Sequence, residues 1–153
     1  MPEINSFSKY FTFEELTNTS HSSLLDDNRE KAKKYINAGK RLSKLLESIR
    51  ELLGSKPITV SSGFRSYELN KKVGGSATSG HTRFECADIV PQGDIGEVFN
   101  FIMHNKDKLP DLRKAIIERV GTKKWIHVQV KMDANSKQEF YETSDGKSYT
   151  KVG

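Results

Sequence analysis

A single cysteine, Cys86, in 153 residues leaves no partner for an internal disulfide and excludes a cysteine-rich zinc site. No apolar run approaches the ~20 residues that span a bilayer, so membrane insertion is not expected. Met1 to Phe13 contains no basic stretch followed by an apolar one. The chain therefore reads as made in a cytoplasm without a secretory signal, and work outside the cell needs another exit route. Internal repeats and low-complexity tracts are missing. So are a G-x-S-x-G elbow, a phosphate-cradling Gly-Lys loop and an H-E-x-x-H helix, which removes several common hydrolase and nucleotide-binding readings. What is present suits one globular domain over 1–153, expected as a monomer. Fourteen aromatic residues (eight Phe, five Tyr, one Trp) argue against disorder despite a mean hydropathy of -0.64. Lys and Arg number 25 against 20 Asp and Glu, a net charge of +5 that favours anionic partners. Those cations are spread along a helix and not interleaved with exposed aromatics, so nucleic acid is an unlikely partner.

Residues 1–26 form a polar lead-in with one short helix, begun by Thr12 as cap with Glu15 three residues on. A long helix is expected from Asp27, with Ala32, Tyr35, Ile36, Leu42, Leu45, Leu46, Ile49, Leu52 and Leu53 at three- and four-residue steps and Gly54 as its stop. Ile58 to Ser62 reads as a strand, Tyr67 to Val73 as a short helix, and Gly74 to Thr82 as a loop. Cys86 to Val90 reads as a buried strand stopped by Pro91, and Asp94 caps a second amphipathic helix. Lys114–Val120 and Trp125–Val130 are two strands joined by a hairpin, and a second hairpin is expected about Asp145-Gly146 in the tail. Helices early and strands late indicate an α+β fold, with helices packed on a small, mainly antiparallel sheet.

Three features bear on chemistry. His81 leaves the flexible loop, and Asp88 follows seven residues later inside an apolar strand, where a carboxylate is costly unless paired or metal-bound. His127 sits in another apolar strand. Two imidazoles and one carboxylate are what a catalytic zinc takes, leaving a position for water. From the pattern alone, hydrogen-bonded core histidines are the more ordinary explanation. Arg65, at the end of a strand, presents a fork of donors that suits a carboxylate or an oxyanion. His21 and His104 carry no such signal, and Cys86 reads as a small buried thiol.

The stretch Ile58-Thr-Val-Ser-Ser-Gly-Phe-Arg65-Ser66, with Glu68-Leu-Asn70, Val73-Gly-Gly-Ser76, Ser79-Gly-His81, Ala87-Asp88-Ile89 and Trp125-Ile-His127-Val, resembles the zinc D-alanyl-D-alanine carboxypeptidase family. It is most similar to short phage and prophage members that cleave bacterial cell-wall peptides. The resemblance spans roughly residues 7–130; the tail 131–153 matches nothing recognisable. It implies one Zn2+ in a sheet-floored groove held by His81, Asp88 and His127. Arg65 would meet the developing oxyanion or a substrate carboxylate, and Ser79 would line the site and touch substrate. Three departures stand out. Phe84 occupies a position usually held by glycine, where it is expected to narrow the groove, and Cys86 replaces an alanine. A glutamate expected three residues before the last histidine is replaced by Lys124.

The resemblance thus implies a zinc peptidase acting on peptidoglycan stem or cross-link peptides, of carboxypeptidase or endopeptidase type, comparable to a phage endolysin. The alternative is an inactive zinc- or wall-binding module of the same fold. For the general base, a two-residue turn between the last two strands places Glu118 on the face of His127, opposite His127 itself or opposite Trp125, whereas a three-residue loop turns it away. A surface Glu118 paired with Lys123 or Lys124 is the plain alternative, and Glu85 is the reserve candidate.

Overall fold

The structure, a computed structural model, describes residues 7–153; the first six residues of the lead-in lie outside the described residues. A one-turn helix α1 (Phe13–Leu16) opens it, and the Thr12 hydroxyl accepts from the Glu15 backbone N–H at 3.2 Å, as a cap with that spacing should. Two longer helices follow, α2 (Leu25–Ala32) and α3 (Ile36–Leu52), where the sequence suggested one. A 3-10 turn, Lys33–Tyr35, separates them. The helix also begins earlier than Asp27, which lies in the first turn of α2 and pairs with Lys31 at 3.4 Å. The break has a packing reason: it turns Tyr35 onto Phe64, ring centroids 6.1 Å apart, while α2 keeps Asn28 facing inward.

The sheet has six strands in the order β1-β2-β4-β3-β5-β6: β1 (Ile58–Ser62), β2 (Cys86–Pro91), β3 (Leu112–Val120), β4 (Lys123–Val130), β5 (Glu139–Thr143) and β6 (Thr150–Lys151). Every pairing is antiparallel except β3 with β5, which is parallel. Between β1 and β2 lie α4 (Tyr67–Lys72), capped by the Ser66 hydroxyl, and a 3-10 turn at Gly80–Arg83. Helix α5 (Ile95–His104) follows β2, with the Asp94 carboxylate accepting from the Glu97 N–H at 2.9 Å. The fold is α+β, as the order of the elements indicated.

Strand alternation divides the sheet into two chemically different faces. Ala87, Ile89, Leu112, Ala115, Ile117, Ile126, Val128, Val130 and Phe140 are buried against α3 and α5. The alternate positions, Cys86, Asp88, Lys114, Ile116, Glu118, Trp125, His127, Gln129 and Tyr141, line a groove on the other side. A satellite of aromatic rings closes one end of the core: Phe84 lies 5.4 Å from Phe64 and 5.9 Å from Phe7. Phe84 therefore does not narrow the groove. Its backbone has φ of 62°, the left-handed conformation that glycine takes easily, and its ring is fully buried. The ring's volume is accommodated by Gly39 on α3, where an added Cβ would come within 2.7 Å of it.

Candidate active site

The turn after β1 is held from below. Asn28 is fully buried and donates to the carbonyls of Thr17 (2.8 Å) and Phe64 (3.1 Å), while its Oδ1 accepts from the Ser66 N–H at 2.7 Å. Phe64 N–H in turn donates to the Leu16 carbonyl at 2.8 Å, an approach so close that only glycine fits at position 63. These bonds fix Gly63 to Ser66 against α1 and α2, and so fix Arg65. The Arg65 N–H donates to the His81 carbonyl at 3.0 Å, which ties this turn to the next functional segment.

His81 lies in the 3-10 turn that Ser79 caps, its N–H donating to the Ser79 hydroxyl at 3.2 Å. Its Nδ1 stands 2.7 Å from the Gly63 carbonyl, which can only accept. The proton is therefore on Nδ1, and Nε2 keeps its lone pair facing the groove. Asp88 and His127 are direct partners in the β2–β4 ladder. The Asp88 Oδ1 lies 2.9 Å from His127 Nδ1 and 3.4 Å from His81 Nε2. The three ligand atoms lie within 4.8 Å of one another.

Electrostatics follow from that arrangement. Burial drives the His81 imidazole below its ordinary value, so it is neutral. Burial alone would also lower His127, but its bond to the Asp88 carboxylate and its contact with Cys86 outweigh it, and His127 is pushed up to about 10. Burial alone would raise Asp88; the two imidazoles outweigh it and hold the carboxyl well below the usual carboxylate range. Without metal, His127 is thus a cation paired with Asp88. With metal, the same lone pairs offer two nitrogens and one oxygen, a borderline-to-hard donor set that fits zinc.

Two further groups face this triad. The hairpin between β3 and β4 has its two-residue turn at Gly121-Thr122, so Glu118 pairs with Trp125 and points into the groove. Its Oε2 accepts from the indole N–H of Trp125 at 3.2 Å, and burial, aided by the Asp88 charge, raises its carboxyl above the ordinary value. Arg65 is partly buried, and its Nε has no hydrogen-bond partner among the described residues. Burial lowers its pKa, against the opposing pull of Asp88, Cys86 and Glu118. Arg65 lines the groove beside Asp88 and Glu118, where its guanidinium is a fork of donors suited to an anion. Glu85 stands elsewhere: it pairs with Arg83 at 3.4 Å and meets Gln129 at 3.5 Å, and it is absent from the groove lining. Cys86 is buried, as a small apolar residue would be, with its neighbours along the groove floor.

Residues 9–129 match the family described as Peptidase M15. The chain belongs to that family. A stretch of 44 residues is 46% identical to the zinc D-Ala-D-Ala carboxypeptidase of Streptomyces albus G. That stretch is 29% of this chain and 17% of the relative, so the chain aligns with a small part of the longer protein. The family match stops at residue 129, yet Tyr141, Gly146 and Tyr149 also line the groove. These tail residues, with Lys114 and Gln129, were not singled out from the sequence, whereas Trp125 was placed on the face of His127. The same alternation of β4 could have found Gln129, two residues beyond His127. Nothing local marks the tyrosines, because only the parallel β3–β5 pairing brings them to the site. Asn28 was hidden among charged neighbours that read as a solvated helix face.

Proposed function

We propose that this protein is a zinc-dependent peptidase that cleaves stem or cross-link peptides of bacterial peptidoglycan. The observation that carries the reading is the convergence of His81 Nε2, Asp88 Oδ1 and His127 Nδ1 beneath Glu118 and Arg65 in one groove of about 770 Å³. His81, Asp88 and His127 would hold the metal. When bound, zinc supplies a Lewis acid that polarises the scissile carbonyl and makes water a better nucleophile near neutral pH. Glu118 accepts the proton of the attacking water on its carboxylate and returns it to the leaving amine; the Trp125 indole holds that carboxylate in place. Arg65 donates to the oxygen on which charge develops, or to a substrate carboxylate. Ser79 keeps the His81 turn in shape and lines the path of the substrate.

Glu118 supplies the carboxylate that Lys124 cannot, and this favours an enzyme over an inactive binding module of the same fold. The net charge of +5 suits an anionic wall polymer. A phage or prophage product released onto its host's wall is the setting in which these features fit together. The test is incubation of the purified protein with defined muropeptides, with and without zinc, followed by mass analysis. Zinc-dependent shortening at a peptide bond is expected. Binding without cleavage at any zinc level would replace the enzyme with the binding module.

A further inference from the structure

The groove continues past the metal-ligand triad in both directions, and its two ends differ in chemistry. Lys114, Ile116 and Glu118 on β3, and Gln129, His127 and Trp125 on β4, form two parallel rows on the groove face. Alternate residues on a strand stand about 6.8 Å apart, so each row extends about 7 Å either side of its middle residue. His127 is the middle residue of its row.

At one end lies Lys114. It pairs with Gln129 across one ladder and with Glu139 across the other. Glu139 is already occupied: it accepts from the Tyr141 hydroxyl at 2.7 Å and meets Arg113 at 3.4 Å. Arg113 also donates to the Lys137 carbonyl, and Arg83 is paired with Glu85. The Lys114 side chain makes no hydrogen bond or ion pair among the described residues, so its ammonium is the cation of this end left for a ligand.

At the other end stands the C-terminal hairpin. Its turn starts at Thr143, the ladder partner of Glu118. Thr143 Oγ1 accepts from the Gly146 N–H at 3.0 Å, and Asp145 Oδ1 accepts from Lys147 and Ser148 N–H groups at 2.8 Å each. These side-chain bonds make the turn a built wall and not a loose tail. Tyr149, whose hydroxyl donates to the Gly146 carbonyl, presents its ring from that wall to the groove, 49% exposed.

We propose that β3 and the C-terminal hairpin make this a two-ended substrate groove. Lys114 takes a carboxylate borne by the peptide about two residues to one side of the scissile bond, and the Tyr149 ring packs on the peptide at the other side. Both contacts lie beyond the metal-ligand triad, so Lys114 and Tyr149 select an acidic peptide that runs along the groove. The proposal rests on the peptidase reading above and deepens it.

The test measures binding apart from turnover. The probes are the synthetic pentapeptide L-Ala-γ-D-Glu-L-Lys-D-Ala-D-Ala and its D-isoglutamine counterpart, identical except that the free carboxylate is an amide, each with a free or amidated C-terminus. Affinities are read by Trp fluorescence on zinc-depleted wild type and variants. Wild type should bind the carboxylate form roughly fivefold more tightly than the amide. Lys114→Met should erase that preference while keeping the aliphatic stem. Tyr149→Ala should weaken both peptides by roughly fivefold, and Tyr149→Phe should not. Amidating the C-terminus should change little. No carboxylate preference in wild type, a preference that survives Lys114→Met, wild-type affinity in Tyr149→Ala, or loss of binding on C-terminal amidation would each overturn the groove assignment. Zinc-loaded wild type separates the two readings: peptides bound in this pattern but left uncut overturn the peptidase and leave the groove, whereas cleavage without the pattern overturns the groove alone.

Discussion

Zinc uptake should release a proton from His127, and the pH dependence of affinity measures it. In the metal-free protein His127 Nδ1 carries a proton 2.9 Å from Asp88 Oδ1, and the imidazole is pushed up to about 10. The metal must displace that proton, so apparent affinity varies as the fraction of His127 that is neutral. For a value of 10, that fraction rises about 100-fold between about pH 6 and pH 8. For an unperturbed imidazole near 6.5, the same step yields only about fourfold. Any value above about 9 keeps the gain near 100-fold, so the contrast does not depend on the last unit. Burial holds His81 below its ordinary value, so His127 carries the larger part of the slope. The assay is competition with a chelator whose own protonation is known, or calorimetry in buffers of different ionisation enthalpy to count protons. About one proton released per zinc at neutral pH is expected. A gain of only about fourfold, with no proton released near pH 8, would refute the pairing of His127 with Asp88 as the resting state. The same pair also stabilises the metal-free fold. The His127 part of that contribution is full below about 6.5 and is lost as pH rises through about 10, because the folded value lies above the unfolded one.

Glu118→Gln should keep zinc and lose about 10²–10⁴ in kcat on muropeptides, while Glu85→Gln stays near wild type; the reverse order would move the general base to Glu85. Arg65→Ala should keep zinc and lower kcat by about 10²–10³, and full turnover in that variant would remove its role with the oxyanion. Phe84→Ala should cost about 3–5 kcal/mol in a urea melt and leave KM unchanged, since the ring is buried away from the groove; a changed KM with unchanged stability would contradict that placement. Gly39→Ala should destabilise by about 1–3 kcal/mol, because its Cβ would press on the Phe84 ring at 2.7 Å, and a neutral result would mean that the ring yields.

Most of the site was legible because it is local. Asp88 and His127 each sit inside a short apolar strand, where a polar residue is conspicuous, and the even-length turn at Gly121-Thr122 decides the face of Glu118. The caps at Thr12 and Asp94 obey rules that operate within three residues. What escaped depends on distant partners. The break at Lys33–Tyr35 answers to Phe64, and periodicity along α2 and α3 runs through it without a mark. Phe84 was read as an intruder in the groove because its identity was visible but its backbone conformation was not. A left-handed φ of 62° sends the ring into a space that Gly39 leaves open on another element.

The parallel pairing of β5 with β3 also protects the sheet. The chain from Lys131 onward leaves the end of β4, crosses to the far side of β3 and covers the row of backbone donors and acceptors between Lys114 and Glu118. Removing residues 131–153 would turn β3 into an outer strand with Ala115 and Ile117 on its core face and without the cover of Phe140. Such a strand is a template for pairing with a second chain. The present outer strand, β6, is two residues long and ends in Lys151, a length and a charge that discourage such pairing. A version trimmed to the family's boundary should therefore self-associate through β3 even where its metal ligands remain intact.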